Sequence, residues 1–84
     1  MTAGEIVRMC RWGKGWSQRQ LSEASGIARQ TITDVERGVR GTSVTILVEL
    51  LDAMGCDLIV AEKIKDGEQT EKYRIAKATI SKTL

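Results

Sequence analysis

The stretch Trp16-Ser17-Gln18-Arg19-Gln20-Leu21-Ser22-Glu23-Ala24-Ser25-Gly26-Ile27-Ala28-Arg29-Gln30-Thr31-Ile32-Thr33-Asp34-Val35-Glu36-Arg37-Gly38 decides the fold. Ser17 and Gln20 have the spacing of a capping box, in which the serine hydroxyl and the glutamine side chain each satisfy a free backbone N–H at a helix start. Trp16 before the cap and Leu21 at the fourth helical position have the spacing of a hydrophobic staple. Ala24 extends the apolar stripe. Gly26 ends the helix, because glycine takes the left-handed terminating conformation at least cost. These signals predict a helix over 18–25. Only Ile27 and Ala28 separate Gly26 from a second helix over 29–37, stopped by Gly38. Ile32, Val35 and Glu36 share one face of that helix, and Gln30, Thr33, Asp34 and Arg37 lie on the opposite one.

Working outward, Thr2 and Glu5 form another capping-box pair. Ile6, Val7 and Cys10 continue as a helical stripe, so a helix is expected over 3–12, ended by Gly13 and Gly15. On the other side a polar loop, Val39 to Thr42, leads to a helix expected over 44–54, capped by Ser43 or Thr42. Ile46, Leu47, Leu50, Leu51 and Met54 give it a broad apolar face, and Gly55 ends it. The period then changes. Asp57 to Ile64 is short and rich in branched apolar residues, which reads as a strand. Asp66-Gly67 is a hairpin signal. A two-residue turn there pairs Val60 with Tyr73 and Leu58 with Ile75, but it also sets Glu62 opposite Glu71. The alternative is one strand followed by a tail, and Ala76 to Leu84 carries no assigned pattern. The chain therefore divides into a helical unit, 1–56, and a strand or hairpin appendage with its tail, 57–84.

With 84 residues the chain holds one modest core and no deep cleft. It contains no His, Phe or Pro. The commonest general base and metal ligand is thus missing. No nucleophile motif, glycine-rich phosphate loop or metal-ligand cluster replaces it. The expectation is a protein that is not an enzyme and needs no metal or cofactor. Cys10 and Cys56 lack metal spacing and read as small core hydrophobes. No apolar signal region and no membrane-length apolar run is present, so the expected location is the cytoplasm, without membrane contact. The net charge of +2 says little until it is divided. Residues 1–42 carry seven basic side chains, six of them Arg, against four acidic ones. Residues 43–84 carry six basic side chains, five of them Lys, against seven acidic ones. Arg is suited to phosphate and base edges through its planar fork, whereas Lys among Glu is an ordinary solvated surface. The first half is the candidate binding region.

Two short helices joined through a glycine turn, with Leu21, Ile27, Ile32 and Val35 buried, make a helix-turn-helix pattern. The run Trp16 to Gly38 resembles that of the lambda-repressor-like, Cro-type (XRE) transcription regulators. The likeness spans roughly residues 5–55 and rests on Ser-Gln opening the first helix of the motif, Leu21, Gly26, Ile32 and the closing Glu-Arg-Gly. It implies a mainly α, four-helix DNA-binding domain. It also implies that the 29–37 helix enters the major groove with its N-terminal residues toward base edges. The matching positions are Ala28, Arg29, Gln30, Thr33 and Asp34. Arg29 and Gln30 are the foremost readers, since Arg spans guanine O6 and N7 and Gln spans adenine N6 and N7. Ala28 or the Thr33 methyl suits a thymine methyl. Asp34 is expected to face a cytosine amino group or to orient an Arg. Gln18 matches the family's backbone-contacting glutamine, and Arg19, Arg37 and Arg40 are expected phosphate contacts. Arg11 and Glu36 match family positions that form a partly buried ion pair, so their role is structural. Trp16 is read as a core or staple residue, and Trp12 as exposed or reaching a partner.

Two departures from the family pattern matter. Ala28 stands where a capping Ser or Thr is common, which weakens the cap by about 1 kcal/mol. A strand-like segment also replaces the fifth helix of many members. That resembles the HipB-type antitoxins, and it implies a homodimer in which Leu58, Ile59, Val60 and Ala61 pair across the two-fold axis. Such a dimer sets two recognition helices about 34 Å apart, for successive major grooves of a palindromic operator. The expected function is sequence-specific DNA binding by a dimeric repressor. The alternative is an antitoxin that also holds a HipA-like kinase toxin, and the least favoured reading is a protein-interaction module without DNA binding.

Overall fold

The computed structural model describes residues 1–39, 41–65 and 71–80. Four helices come first: α1 (Ala3–Lys14), α2 (Gln18–Ser25), α3 (Arg29–Arg37) and α4 (Val44–Ala53). Two strands follow, β1 (Leu58–Lys65) and β2 (Glu71–Ile80), in one antiparallel sheet.

Local chemistry sets the helix ends. The Ser17 hydroxyl accepts from Gln20 N–H at 3.1 Å, and the Gln20 side chain accepts from Ser17 N–H at 2.7 Å. This reciprocal box fixes the start of α2. At α1 only half the box forms. The Thr2 hydroxyl accepts from Glu5 N–H at 3.2 Å, but the Glu5 carboxylate takes the Thr2 O–H rather than the Thr2 backbone. The Ser43 hydroxyl, not that of Thr42, caps α4 by accepting from Ile46 N–H at 3.1 Å. Helix α1 runs two residues beyond the expected end. Gly13 is exposed and stays helical, and Gly15, at φ 70°, is the cap, its N–H bonding to Arg11 O and Trp12 O. Helix α4 ends one residue earlier than expected, at Ala53.

The core is one cluster of Val7, Leu21, Ile27, Ile32, Val35, Leu47, Leu50, Leu51 and Met54, drawn from all four helices and the α2–α3 turn. Trp16, Cys10 and Cys56 pack against it half-buried. Burial, with the neighbouring Cys56, pushes the Cys10 thiol up, so it stays protonated at neutral pH. Ala24 is exposed and does not continue the buried stripe. Helices α1 and α3 cross closely at Gly4, where an added Cβ would overlap the Val35 carbonyl oxygen and lie 3.0 Å from that of Glu36.

The strand register differs from the two-residue hairpin. Lys65 pairs with Glu71, so the Asp66-Gly67 signal falls within 66–70, outside the described residues. Glu62 faces Arg74 rather than Glu71, and Lys63 faces Tyr73. An irregularity between Val60 and Glu62 shifts the register, after which Val60 pairs with Ala78, Ile59 with Thr79 and Leu58 with Ile80. The pairing of Glu62 with Glu71 expected from a two-residue turn is thus replaced by a longer-range register. Leu58 packs against the helical core, while Ile59 beside it is 58% exposed. Among the described residues no helix is long and apolar enough to cross a membrane.

Candidate nucleic-acid interface

Helix α3 begins without a side-chain cap. Ala28 is its N-cap, at φ −55° and ψ 137°, and makes no side-chain bond to the first turn. Three residues at this end, Ala28, Arg29 and Gln30, are all exposed. Thr33 and Asp34, one turn on, are half-buried, and Arg37 in the last turn is exposed. The solvent-facing side of α3 thus offers an arginine and a glutamine on its first turn, close to its positive dipole end.

Helix α2 is held against the middle of α3 by a chain of polar bonds. The Thr33 hydroxyl lies 3.0 Å from Gln18 Oε1 and 3.0 Å from the Arg29 carbonyl oxygen. Gln18 Nε2 donates to Glu36 Oε1 at 3.3 Å. An ionised carboxylate only accepts, so the amide must present its nitrogen to Glu36, and its oxygen is then free for the Thr33 O–H. The remaining Gln18 N–H stays available beside the α2 N-terminus, where free backbone amides suit a phosphate. A second pair lies on α3 itself: Gln30 Nε2 donates to Asp34 Oδ1 at 3.0 Å.

Glu36 anchors the first network. Its side chain is 1% exposed, yet it meets Arg11 in a bidentate pair, Nε to Oε2 and Nη2 to Oε1, both at 2.8 Å. Arg11 also donates through Nη1 to the Trp16 carbonyl at 2.9 Å. Burial pushes the Glu36 carboxyl up, but hydrogen bonds from Arg11 and Gln18 and the positive charges of Arg11 and Arg8 outweigh it. The carboxyl therefore lies below its ordinary range. Arg11 is raised by the same hydrogen bond, against its own desolvation. One partner escaped the sequence reading. Arg8 donates to the Glu36 backbone carbonyl at 2.9 Å and lies 5.9 Å above the Trp12 ring. Its only sequence signal is its position one turn from Arg11 on the same helix.

The other expected contacts are more dispersed. Arg19 is exposed and pairs with Glu23 at 3.3 Å, an exposed i,i+4 pair worth only a few tenths of a kcal/mol (about 0.3–0.5). Arg40 lies outside the described residues. Leu58, Ile59, Val60 and Ala61 all fall on β1. Between α3 and the start of α4, Thr31, Asp34, Val35, Thr42, Ser43 and Ile46 help line an open cavity of about 180 Å³. This is below the roughly 300–1,000 Å³ usual for small-molecule sites.

Residues 7–60 match the family described as helix-turn-helix. Over 84 aligned residues the chain is 31% identical to the HTH-type transcriptional regulator SlrR of Bacillus subtilis (strain 168), an alignment covering 89% of this chain and 55% of that protein. Over 58 residues it is 36% identical to the competence pilus inhibition repressor of Acinetobacter baylyi (strain ATCC 33305 / BD413 / ADP1), covering 69% of this chain and 53% of that protein. The chain thus spans about half the length of these curated relatives. No solved structure matches it significantly. The capped α2, the glycine turn, the exposed first turn of α3 and the match over residues 7–60 agree, and the chain belongs to the XRE-type helix-turn-helix family.

Proposed function

We propose that the protein is a sequence-specific DNA-binding transcriptional regulator, acting as a repressor. The observation that carries this reading is the bond from Thr33 to Gln18, which joins the start of α2 to the solvent-facing side of α3. A phosphate-binding group and the base-reading turn are thereby held in one rigid frame. Arg29 and Gln30 read base edges, with Ala28, Thr33 and Asp34 shaping the surface around them. Gln18, Arg19, Arg37 and Arg40 contact the backbone and position the helix. The helical unit 1–56 binds the DNA. The hairpin segment after it makes a homodimer by pairing Leu58 to Ala61 with a second copy, because a lone two-stranded sheet is marginal in water and leaves open edges. The protein works in the cytoplasm, on a palindromic operator. The relatives' names, one a transcriptional regulator and one a repressor, support the regulatory part of this reading.

Selection of bound DNA from a random duplex pool tests it. The expected product is a palindrome with half-sites one helical turn apart. Arg29→Ala is expected to cost about 1–3 kcal/mol and to relax preference at one base pair. Failure to bind any duplex at low salt, where phosphate contacts are strongest, would overturn the reading. A second reading, an antitoxin with a kinase-type toxin partner, is favoured by the strands that follow α4 in place of a fifth helix. Co-purification of a kinase-like protein with the chain decides between the two.

A further inference from the structure

Gln30 and Asp34 stand one turn apart on α3, with Gln30 Nε2 donating to Asp34 Oδ1 at 3.0 Å. A carboxylate only accepts, so the amide meets it through nitrogen. We propose that Asp34 is a specificity-determining positioning residue: it holds the Gln30 amide in one orientation, so that Gln30 selects adenine and rejects guanine. This rests on the reading of α3 as the base-reading helix, and it deepens that reading.

The donor and acceptor pattern of the bases gives the reason. Adenine offers an N6 donor beside the N7 acceptor, whereas guanine offers two acceptors, N7 and O6. An untethered amide can answer either base. It presents oxygen and nitrogen to adenine, or turns its N–H₂ across both guanine acceptors. With one N–H committed to Asp34, what remains is one N–H and Oε1. That pair complements adenine. Against guanine it sets Oε1 beside O6, acceptor against acceptor, with the Asp34 charge close behind. In the major groove, where water is displaced, this mismatch is worth more than the same pair is worth in solvent. Asp34 is already half-buried beside the α3–α4 cavity, which limits its freedom to swing away.

The test uses the full chain on its selected operator, with dissociation constants measured by fluorescence anisotropy for duplexes changed one base pair at a time. Gln30→Ala first identifies the pair that Gln30 reads, which is expected to be an A·T pair preferred over G·C by about 10- to 100-fold. Asp34→Asn keeps the size of the side chain but can face the amide through oxygen or nitrogen. It is expected to reduce that preference to about threefold or less, because a good bidentate match is what supplies the discrimination. Other positions should stay unchanged, and binding to the guanine duplex should tighten. If Gln30→Ala relaxes no base pair, the assignment of Gln30 as a reader is wrong and the proposal falls with it. If Gln30→Ala relaxes a pair while Asp34→Asn leaves it intact, or relaxes a different C·G pair alone, only the proposal falls, and Asp34 is then a bystander or a cytosine reader. A selected guanine at the Gln30 position also overturns it. An unchanged melting temperature for Asp34→Asn shows that the variant is folded.

Discussion

Glu36→Gln is the perturbation that probes fold and interface together. The native carboxylate is 1% exposed and takes both Arg11 bonds at 2.8 Å, while Arg11 itself is only 12% exposed. Glutamine keeps the shape but removes the charge and can offer only one oxygen to the guanidinium. Arg11 is then a buried cation without a counterion, and breaking a buried pair in this way costs about 3–5 kcal/mol. A domain of this size has roughly 4–13 kcal/mol in total, so a large fraction is lost. Urea unfolding followed by Trp fluorescence measures it, Trp16 being packed on the core beside Arg11. The pH dependence has a definite sign. The folded carboxyl is depressed, so its contribution is present in full above the unfolded value of about 4.3 and is lost as pH falls through the lower folded value. The gap between wild type and Glu36→Gln is therefore widest near neutrality and narrows in acid below about pH 4. Arg11→Met with Glu36→Leu removes both charges and is expected to recover most of the stability, since apolar pairs of similar volume often match a buried ion pair. It should still bind DNA weakly, because Gln18 has lost its anchor. A cost below about 1 kcal/mol for Glu36→Gln would mean that the pair behaves like a solvent-screened surface bridge, and the reasoning would be refuted.

Three further outcomes follow from particular contacts. Gly4→Ala drives a methyl into the Val35 carbonyl, backbone that cannot turn aside; overpacking less the gain in helix propensity leaves a loss of about 2 kcal/mol, and an unchanged or higher melting temperature would refute the close crossing. Ala28→Ser supplies the missing acceptor at the α3 N-cap and is expected to gain about 1 kcal/mol, raising the melting temperature by roughly 4–8 °C in a thermal scan, whereas no gain would mean that the first turn is already satisfied. Ile59→Lys puts a charge on the exposed part of β1 and is expected to convert a dimer to a monomer in sedimentation velocity; a variant that stays dimeric places the interface elsewhere.

Legibility from sequence tracks how local the responsible interaction is. The bounds of α2 and α3 follow from Ser17, Gln20, Gly26 and Gly38, each of which acts within one turn of itself, and the expected bounds coincide with the observed ones. Gly13 misled the end of α1 because an exposed glycine inside a helix costs only about 1 kcal/mol and does not compel a stop. Gly4 gave no signal at all. Its requirement comes from the backbone of α3, some thirty residues away, and no local pattern encodes a helix crossing. The hairpin failed on register. A turn dipeptide speaks only for the residues around it, whereas the pairing of Lys65 with Glu71 and of Glu62 with Arg74 depends on the whole ladder. At the interface, the Gln30–Asp34 spacing of four was visible in the sequence and fits a known helical pairing, so that bond was within reach. The Gln18–Thr33 and Gln18–Glu36 bonds were not, because they join two helices whose rotation about each other is set by the core.

The position of Glu36 shows why a charge is kept where a leucine would pack. Ile32, Val35 and Glu36 lie on one buried face of α3, and two apolar neighbours already supply the burial there. A paired carboxylate adds little net stability over an apolar residue of similar size. What it adds is direction. Its lone pairs take the Arg11 fork from α1 and the Gln18 amide from α2, so three helices meet at one residue in fixed rotation. The Thr33 hydroxyl shares its one proton between Gln18 Oε1 and the Arg29 carbonyl oxygen, which ties Gln18 to the first turn of α3. The same bonds that orient the helices thus reach the groups proposed to touch phosphate and bases. A change at Arg11, though its own bonds run inward to Glu36 and Trp16, should therefore be felt at Gln18.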